Sequence, residues 1–144
     1  MGLTDQGWKI RAAKAGEMSV IQQLVASVDG DLYEINIQEF LVAEDASGVI
    51  LGCGRLRPYP EFCELASLAV TQSVRTQGLG RAIVEGLLDL YAGEVYLVCE
   101  DHLVEFFRRF GFRLIPQEDM PDGLRPKWQY FASRVGVMNV MVRS

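Results

Sequence analysis

Two almost wholly apolar runs, residues 64–70 (ELASLAV) and 95–99 (VYLVC), constrain the fold of this 144-residue chain more than any other feature. A strand with one wet face alternates apolar and polar side chains. A run without alternation belongs to a strand covered on both faces. A sheet built on such strands must carry helices on each side. The sequence supplies them. After the first run, a turn with Gly78 and Gly80 leads into residues 80–91, where Ile83, Leu87 and Leu90 recur on one face. Arg81, Glu85 and Asp89 form an i, i+4 row on the other, and Gly93 ends the helix.

The remaining elements follow from the same periodicities. Residues 8–11 read as a first strand. Residues 17–28 carry Met18, Ile21, Leu24, Val25 and Val28 at helical spacing, with Gly30 as the cap. Residues 31–37 fit either a second helix or a loop. Residues 39–45 (EFLVAED) and 49–57 (VILGCGRLR) pair around the turn ASG, before Pro58 and Pro60 break the pattern. Later, Asp101 caps a helix with Leu103, Phe106, Phe107 and Phe110 on its apolar face, and Gly111 stops it. Residues 112–115 start another strand, 116–127 form a Pro/Gly loop, and 135–142 (VGVMNVMV) make a final strand. Early strands pair locally and later ones alternate with helices. This predicts a single α/β domain over residues 1–144, with one mixed sheet flanked by helices.

Composition excludes several classes. Hydrophobic residues are 49% and charged residues 23%, enough apolar content for a packed core. The net charge of -5 argues against nucleic acid as a partner. No apolar run approaches the roughly 20 residues that span a bilayer, and the N-terminus has no apolar signal region. Three cysteines, Cys53, Cys63 and Cys99, cannot all pair and none sits in a CxxC. They read as reduced core thiols of a cytoplasmic protein, Cys63 being packing before it is a nucleophile. His102, the one histidine, reads as a surface residue, and no metal-ligand spacing occurs.

The segment VRTQGLGRA (residues 74–82) sits where a buried strand passes into a patterned helix. The first amides of a helix have no intrahelical acceptor, and the macrodipole makes that end partly positive. Gly78 and Gly80 let an anion approach the backbone, and Arg75 and Arg81 add charge. The bland alternative is a turn whose glycines serve geometry alone. There is no Walker lysine and no third glycine of a dinucleotide fingerprint.

Arg75-x-x-Gly78-x-Gly80 after LAV resembles the signature of the GNAT N-acetyltransferase superfamily. The order of elements and the helix end FFRRFGF (residues 106–112) agree with it. The segments GCGRLRPYP, ELASLAV and EDMPDGLRPKWQY further resemble the acetyltransferase domain of bacterial N-acetylglutamate synthases. The resemblance implies a mostly antiparallel sheet of about six to seven strands, splayed at its central strands. It implies acetyl-CoA as co-substrate. The diphosphate would lie on the backbones of Arg75, Thr76, Gln77, Gly78, Leu79, Gly80 and Arg81, and the pantetheine arm along Leu68, Ala69 and Val70.

Acetyl transfer to an amine needs a deprotonated amine, a stabilised oxyanion and a protonated leaving thiolate. Glu64, at the head of the central strand, is the candidate base; its plain alternative is a solvated strand-end carboxylate. A backbone amide among Leu68–Val70 would meet the oxyanion. Relatives place a tyrosine acid where this chain has Phe107, which cannot donate, so water, Tyr130 or Ser133 is left. Arg55, Arg57, Arg125, Lys127 and Arg134 are candidates for holding a substrate carboxylate. The reading is an N-acetyltransferase acting on the primary amine of a small molecule such as an amino acid, with no membrane, nucleic-acid or metal partner and with a homodimer as an open arrangement. The alternatives are a protein N-terminal or lysine acetyltransferase and a non-catalytic acyl-CoA-binding module.

Overall fold

The structure, a computed structural model, describes residues 7–74 and 78–144. Among these residues the order is β1 (Trp8–Ala12), α1 (Met18–Ser27), β2 (Phe40–Asp45), β3 (Ile50–Pro58), β4 (Cys63–Val70), α2 (Leu79–Leu88), β5 (Val95–Cys99), α3 (Val104–Arg108), β6 (Arg113–Ile115), α4 (Arg125–Val135) and β7 (Asn139–Arg143). The seven strands run β1-β2-β3-β4-β5-β7-β6 in one sheet. Pairing is antiparallel between β1 and β2, β2 and β3, β5 and β7, and β6 and β7. It is parallel between β4 and β5, where Cys63 faces Val95 and Glu64 faces Tyr96. This is the mixed sheet that the element order predicted, and it is mostly antiparallel as the resemblance implied. Contacts divide the chain into two compact units, Met1–Arg57 with Leu65–Ala92, and Pro58–Glu64 with Gly93–Ser144.

In the first unit the sheet is covered on both faces. Ile21 and Val25 of α1 pack with Phe40, Val42, Cys53 and Ala69. Ile21, Val25, Phe40 and Val42 each contribute roughly 1.5–3 kcal/mol on burial. On the opposite face α2 lies directly on β3. A Cβ at Gly52 would meet Leu79 Cδ2 at 2.9 Å, and one at Gly54 would meet Ile83 Cγ2 at 2.9 Å. The two glycines of GCG therefore set how closely the helix approaches the strand. The α1 helix ends in a Schellman arrangement, with Asp29 N–H donating to Ala26 O at 3.1 Å and Gly30 N–H to Val25 O at 2.9 Å. The left-handed residue is Asp29 (φ 53°), not the expected Gly30. Gly30 serves space instead, since a Cβ there would stand 2.9 Å from Val25 Cγ1.

In the second unit Phe62, Met120, Leu124 and Val140 form a core with Tyr59, Tyr96, Ile115 and Trp128 packed around it. Phe107 is buried on α3 and meets the Phe112 ring at 6.0 Å, edge on. Gly111 (φ 91°) closes α3, as its position predicted.

Several expectations fail for local reasons. The stretch 116–127 is not simply loop: two short 3-10 turns, Gln117–Asp119 and Asp122–Leu124, lead into α4, which starts at Arg125. Pro126 sits at the second helical position, where its missing N–H costs nothing. Val135 belongs to α4, so the last strand begins at Asn139 rather than at residue 135. The helix after the glycine turn stops at Leu88, leaving Leu90 64% exposed rather than in the core. Asp101 lies inside a 3-10 turn and accepts from Asn139 Nδ2 at 2.7 Å instead of capping α3. Residues 31–37 resolve as a loop that ends in a 3-10 turn, Ile37–Glu39, capped by Asn36 Oδ1 accepting from Gln38 N–H at 3.0 Å.

Candidate active site

The strand-to-helix junction in the first unit has the geometry an anion site needs. Gly78 begins α2 in the left-handed region (φ 81°), and a Cβ built there would have no atom within 4 Å. The backbone is therefore open to a ligand. Among the described residues, the first amide of α2 with a helical acceptor is that of Ala82, whose N–H donates to Gly78 O at 3.1 Å. The amides of Leu79, Gly80 and Arg81 precede it, at the partly positive end of the helix. Leu79 is buried and Arg81 is exposed, paired with Glu85 at 3.3 Å. Arg75, Thr76 and Gln77 lie outside the described residues.

Before that junction, β4 carries a left-handed residue of its own. Ser67 has φ 57°, a region that L-residues with a Cβ rarely adopt. Leu68, Ala69 and Val70 follow immediately, with Ala69 and Val70 buried.

Glu64 belongs to the second unit and overturns the solvated-carboxylate alternative. It is 1% exposed. Lys127 Nζ donates to both its oxygens at 2.8 Å, and the Tyr59 hydroxyl donates to Oε1 at 2.9 Å. Lys127 is itself 1% exposed, on the first turn of α4. A cation there opposes the helix dipole, and the carboxylate offsets it. Tyr59 stacks on Phe62 with centroids 4.4 Å apart, which fixes the phenol that reaches Glu64.

The five basic candidates separate. Arg55 is fully buried and all its N–H groups are engaged: Nε on Ser67 Oγ, Nη1 on Glu34 O and Glu39 Oε1, Nη2 on Asp31 Oδ2 and Tyr33 O. With five donors on five oxygens it has none left for a substrate, so its expected role as a carboxylate clamp is corrected to an internal one. Lys127, bound to Glu64, is corrected in the same way. Arg57 lies over the Tyr33 ring at 5.3 Å and pairs with Glu34, which is well exposed. Arg125 is half-buried at the start of α4. Arg134 is exposed and stacks over Tyr130 at 4.7 Å. Ser133 is also exposed, its hydroxyl donating to Tyr130 O at 2.9 Å.

The thiols and the histidine behave as packing and surface. Cys53, Cys63 and Cys99 are buried thiols outside any disulfide. Burial pushes the Cys53 thiol up to about 12 and the Cys99 thiol up to about 11. His102 is exposed. Among the described residues no group of three or more His, Cys, Asp or Glu is placed to hold a metal, and no helix is long and apolar enough to cross a membrane.

A family model described as an acetyltransferase (GNAT) domain matches residues 36–114. An amino-acid acetyltransferase of Mycobacterium tuberculosis is 34% identical over 119 residues, 72% of this chain and 67% of that protein. One from Mannheimia succiniciproducens is 30% identical over 102 residues, 67% of this chain but 23% of its own length. Among solved structures, a Mycobacterium tuberculosis protein in complex with CoA is similar at a TM-score of 0.76 and 27% identity, covering 94% of this chain and 98% of that one. N-acetylglutamate synthase from Neisseria gonorrhoeae, complexed with coenzyme A and N-acetyl-glutamate, is similar at 0.78 and 21% identity, over 94% of this chain and 34% of its own. At that identity the fold is what the two share. This chain spans about a third of the Neisseria enzyme and under a quarter of the Mannheimia one.

Proposed function

Because the chain belongs to the GNAT acetyltransferase family, we propose that it is one acetyltransferase domain that moves the acetyl group of acetyl-CoA to the α-amine of an amino acid, in the cytoplasm. The observation that carries this is the strand-to-helix junction. Left-handed Gly78, open on its Cα side, exposes the first amides of α2 to a diphosphate. We assign that role to residues 75–81, and the pantetheine arm to Leu68, Ala69 and Val70. The amino-acid acceptor is supported by the names of the relatives, and coenzyme A by the CoA complex among the similar structures.

Glu64 takes the amine proton in this proposal, by way of Tyr59. The Glu64 carboxylate is enclosed, while Tyr59 is half-buried and already donates to it. As the phenol gives its proton to Glu64 it accepts one from the ammonium, so charge moves without exposing the carboxylate. Lys127 keeps Glu64 oriented. With Lys127 occupied internally, Arg125, half-buried in the same unit as Glu64, is the cation proposed for the substrate carboxylate.

Thiol release from acetyl-CoA, followed across the twenty amino acids and their decarboxylated amines, tests the reading. The expected result is release with one or a few amino acids and at least tenfold less with the matching amines. Equal rates with both groups would remove the amino-acid assignment. Coenzyme A binding with no release for any amine would make the chain an acyl-CoA-binding module.

A further inference from the structure

Ser67 holds its left-handed backbone in the middle of β4, where a residue with a Cβ persists only if its surroundings fix it. They do so from three sides. The Ser67 hydroxyl donates to Asp31 O at 2.6 Å and accepts from Arg55 Nε at 3.0 Å. Its carbonyl accepts from the Cys53 thiol at 3.7 Å. The Arg55 guanidinium cannot shift, because its other four N–H groups lie on Glu34 O, Glu39 Oε1, Asp31 Oδ2 and Tyr33 O. Asp31 is fixed in turn by Tyr33 N–H, which donates to Oδ1 at 2.8 Å. One buried fork thus bolts residues 31–39 and the reversed point of β4 together.

We propose that Arg55 is a positioning residue for acetyl-CoA. By holding Ser67 left-handed it turns the backbone groups of Leu68, Ala69 and Val70 toward the pantetheine arm, and its bonds to Asp31 and Glu39 make that setting depend on the 31–39 loop. The inference rests on the coenzyme A reading above. The rival is that Arg55 merely joins a loop to a strand.

Ser67→Gly and Ser67→Ala separate the two, because both lose the hydroxyl but only glycine reaches φ near 57° unaided. Coenzyme A itself is the probe, with calorimetry as readout. Ser67→Ala should bind coenzyme A at least tenfold more weakly than wild type, and Ser67→Gly within about threefold of it. Arg55→Lys, which breaks the fork, should lose at least tenfold, and adding Ser67→Gly to it should restore most of that loss. The Cα and Cβ chemical shifts of residue 67 should move to extended-strand values in Ser67→Ala. A joining role alone predicts the opposite order, since glycine weakens a strand more than alanine does. Equal affinities for the Gly and Ala variants, or an unchanged backbone in Ser67→Ala, would overturn the proposal. Wild-type protein that fails to bind coenzyme A would instead overturn the reading on which it rests.

Discussion

Arg55 in the first unit and Lys127 in the second are buried cations that solve the same problem differently. Both are at most 1% exposed; the carboxylates that face Arg55 keep 11% and 14% of their side-chain surface, and the one that faces Lys127 keeps 1%. Arg55 spreads one charge over five oxygens from five residues, in two chain segments outside its own strand. Lys127 concentrates its charge on the two oxygens of Glu64. A planar fork with fixed donor directions organises a loop; a compact ammonium neutralises one group. A buried cation is therefore read by how its donors are shared, since the two cations match in burial and charge.

The largest effect is expected at Arg55. Arg55→Met leaves Asp31 and Glu39 without their cation and Ser67 without its donor. Breaking a buried pair in this way costs about 3–5 kcal/mol. Urea unfolding should show that loss, and a change below about 1 kcal/mol would break the contrast by showing that the cluster is easily resolvated.

Lys127→Met comes next. It leaves Glu64 enclosed without its ammonium, again on the order of 3 kcal/mol. Here a second substitution should help. Replacing both members of a buried pair with apolar residues is often neutral, so Glu64→Leu with Lys127→Met should recover most of the stability, though not activity. No single partner change should do the same for Arg55. Equal rescue at both sites would erase the distinction between fork and point charge.

The smallest effect belongs to an ion pair nearer the surface, and it calibrates the other two. Arg11 donates to Glu17 at 2.9 and 2.6 Å and holds its carboxyl down at about 2, against an ordinary 4.5. A depressed carboxyl contributes stability that is complete above the ordinary value and is lost as pH falls through the folded one. The urea midpoint should therefore drop between about pH 5 and pH 2, and Glu17→Gln should flatten that slope. An unaltered slope in Glu17→Gln would mean that the pair contributes nothing.

The sheet was legible because burial on two faces leaves a mark on consecutive residues. The run VYLVC coincides with β5, and ELASLAV falls within β4. The α4 helix was not, because Pro121, Gly123 and Pro126 read as punctuation although Pro126 is compatible with a first turn. Glu64 was legible as a position, at the head of an apolar strand. Its surroundings were not: Lys127 lies 63 residues away on the unrecognised helix. Arg55 reads as a substrate-carboxylate clamp for the same reason. Most of its partners sit in residues 31–39, a stretch whose spacing leaves helix and loop both open, and the demand of Ser67 for a fixed backbone has no sequence signature. Side-chain periodicity reports which face is dry; it does not report which polar groups meet there.

The strand order in the second unit also bears on how the chain is made. β7 is last in sequence yet lies between β5 and β6, pairing with both. On the ribosome, β5 and β6 emerge first, β5 with β4 alone to pair with, and nothing joins the two until Asn139–Arg143 follows. At roughly 5–20 residues per second, that wait lasts on the order of seconds. During it the apolar residues of β5, Val95 and Leu97, stand uncovered by their later neighbour. Nascent chains stalled between Ile115 and Asn139 are therefore the ones a chaperone should hold longest.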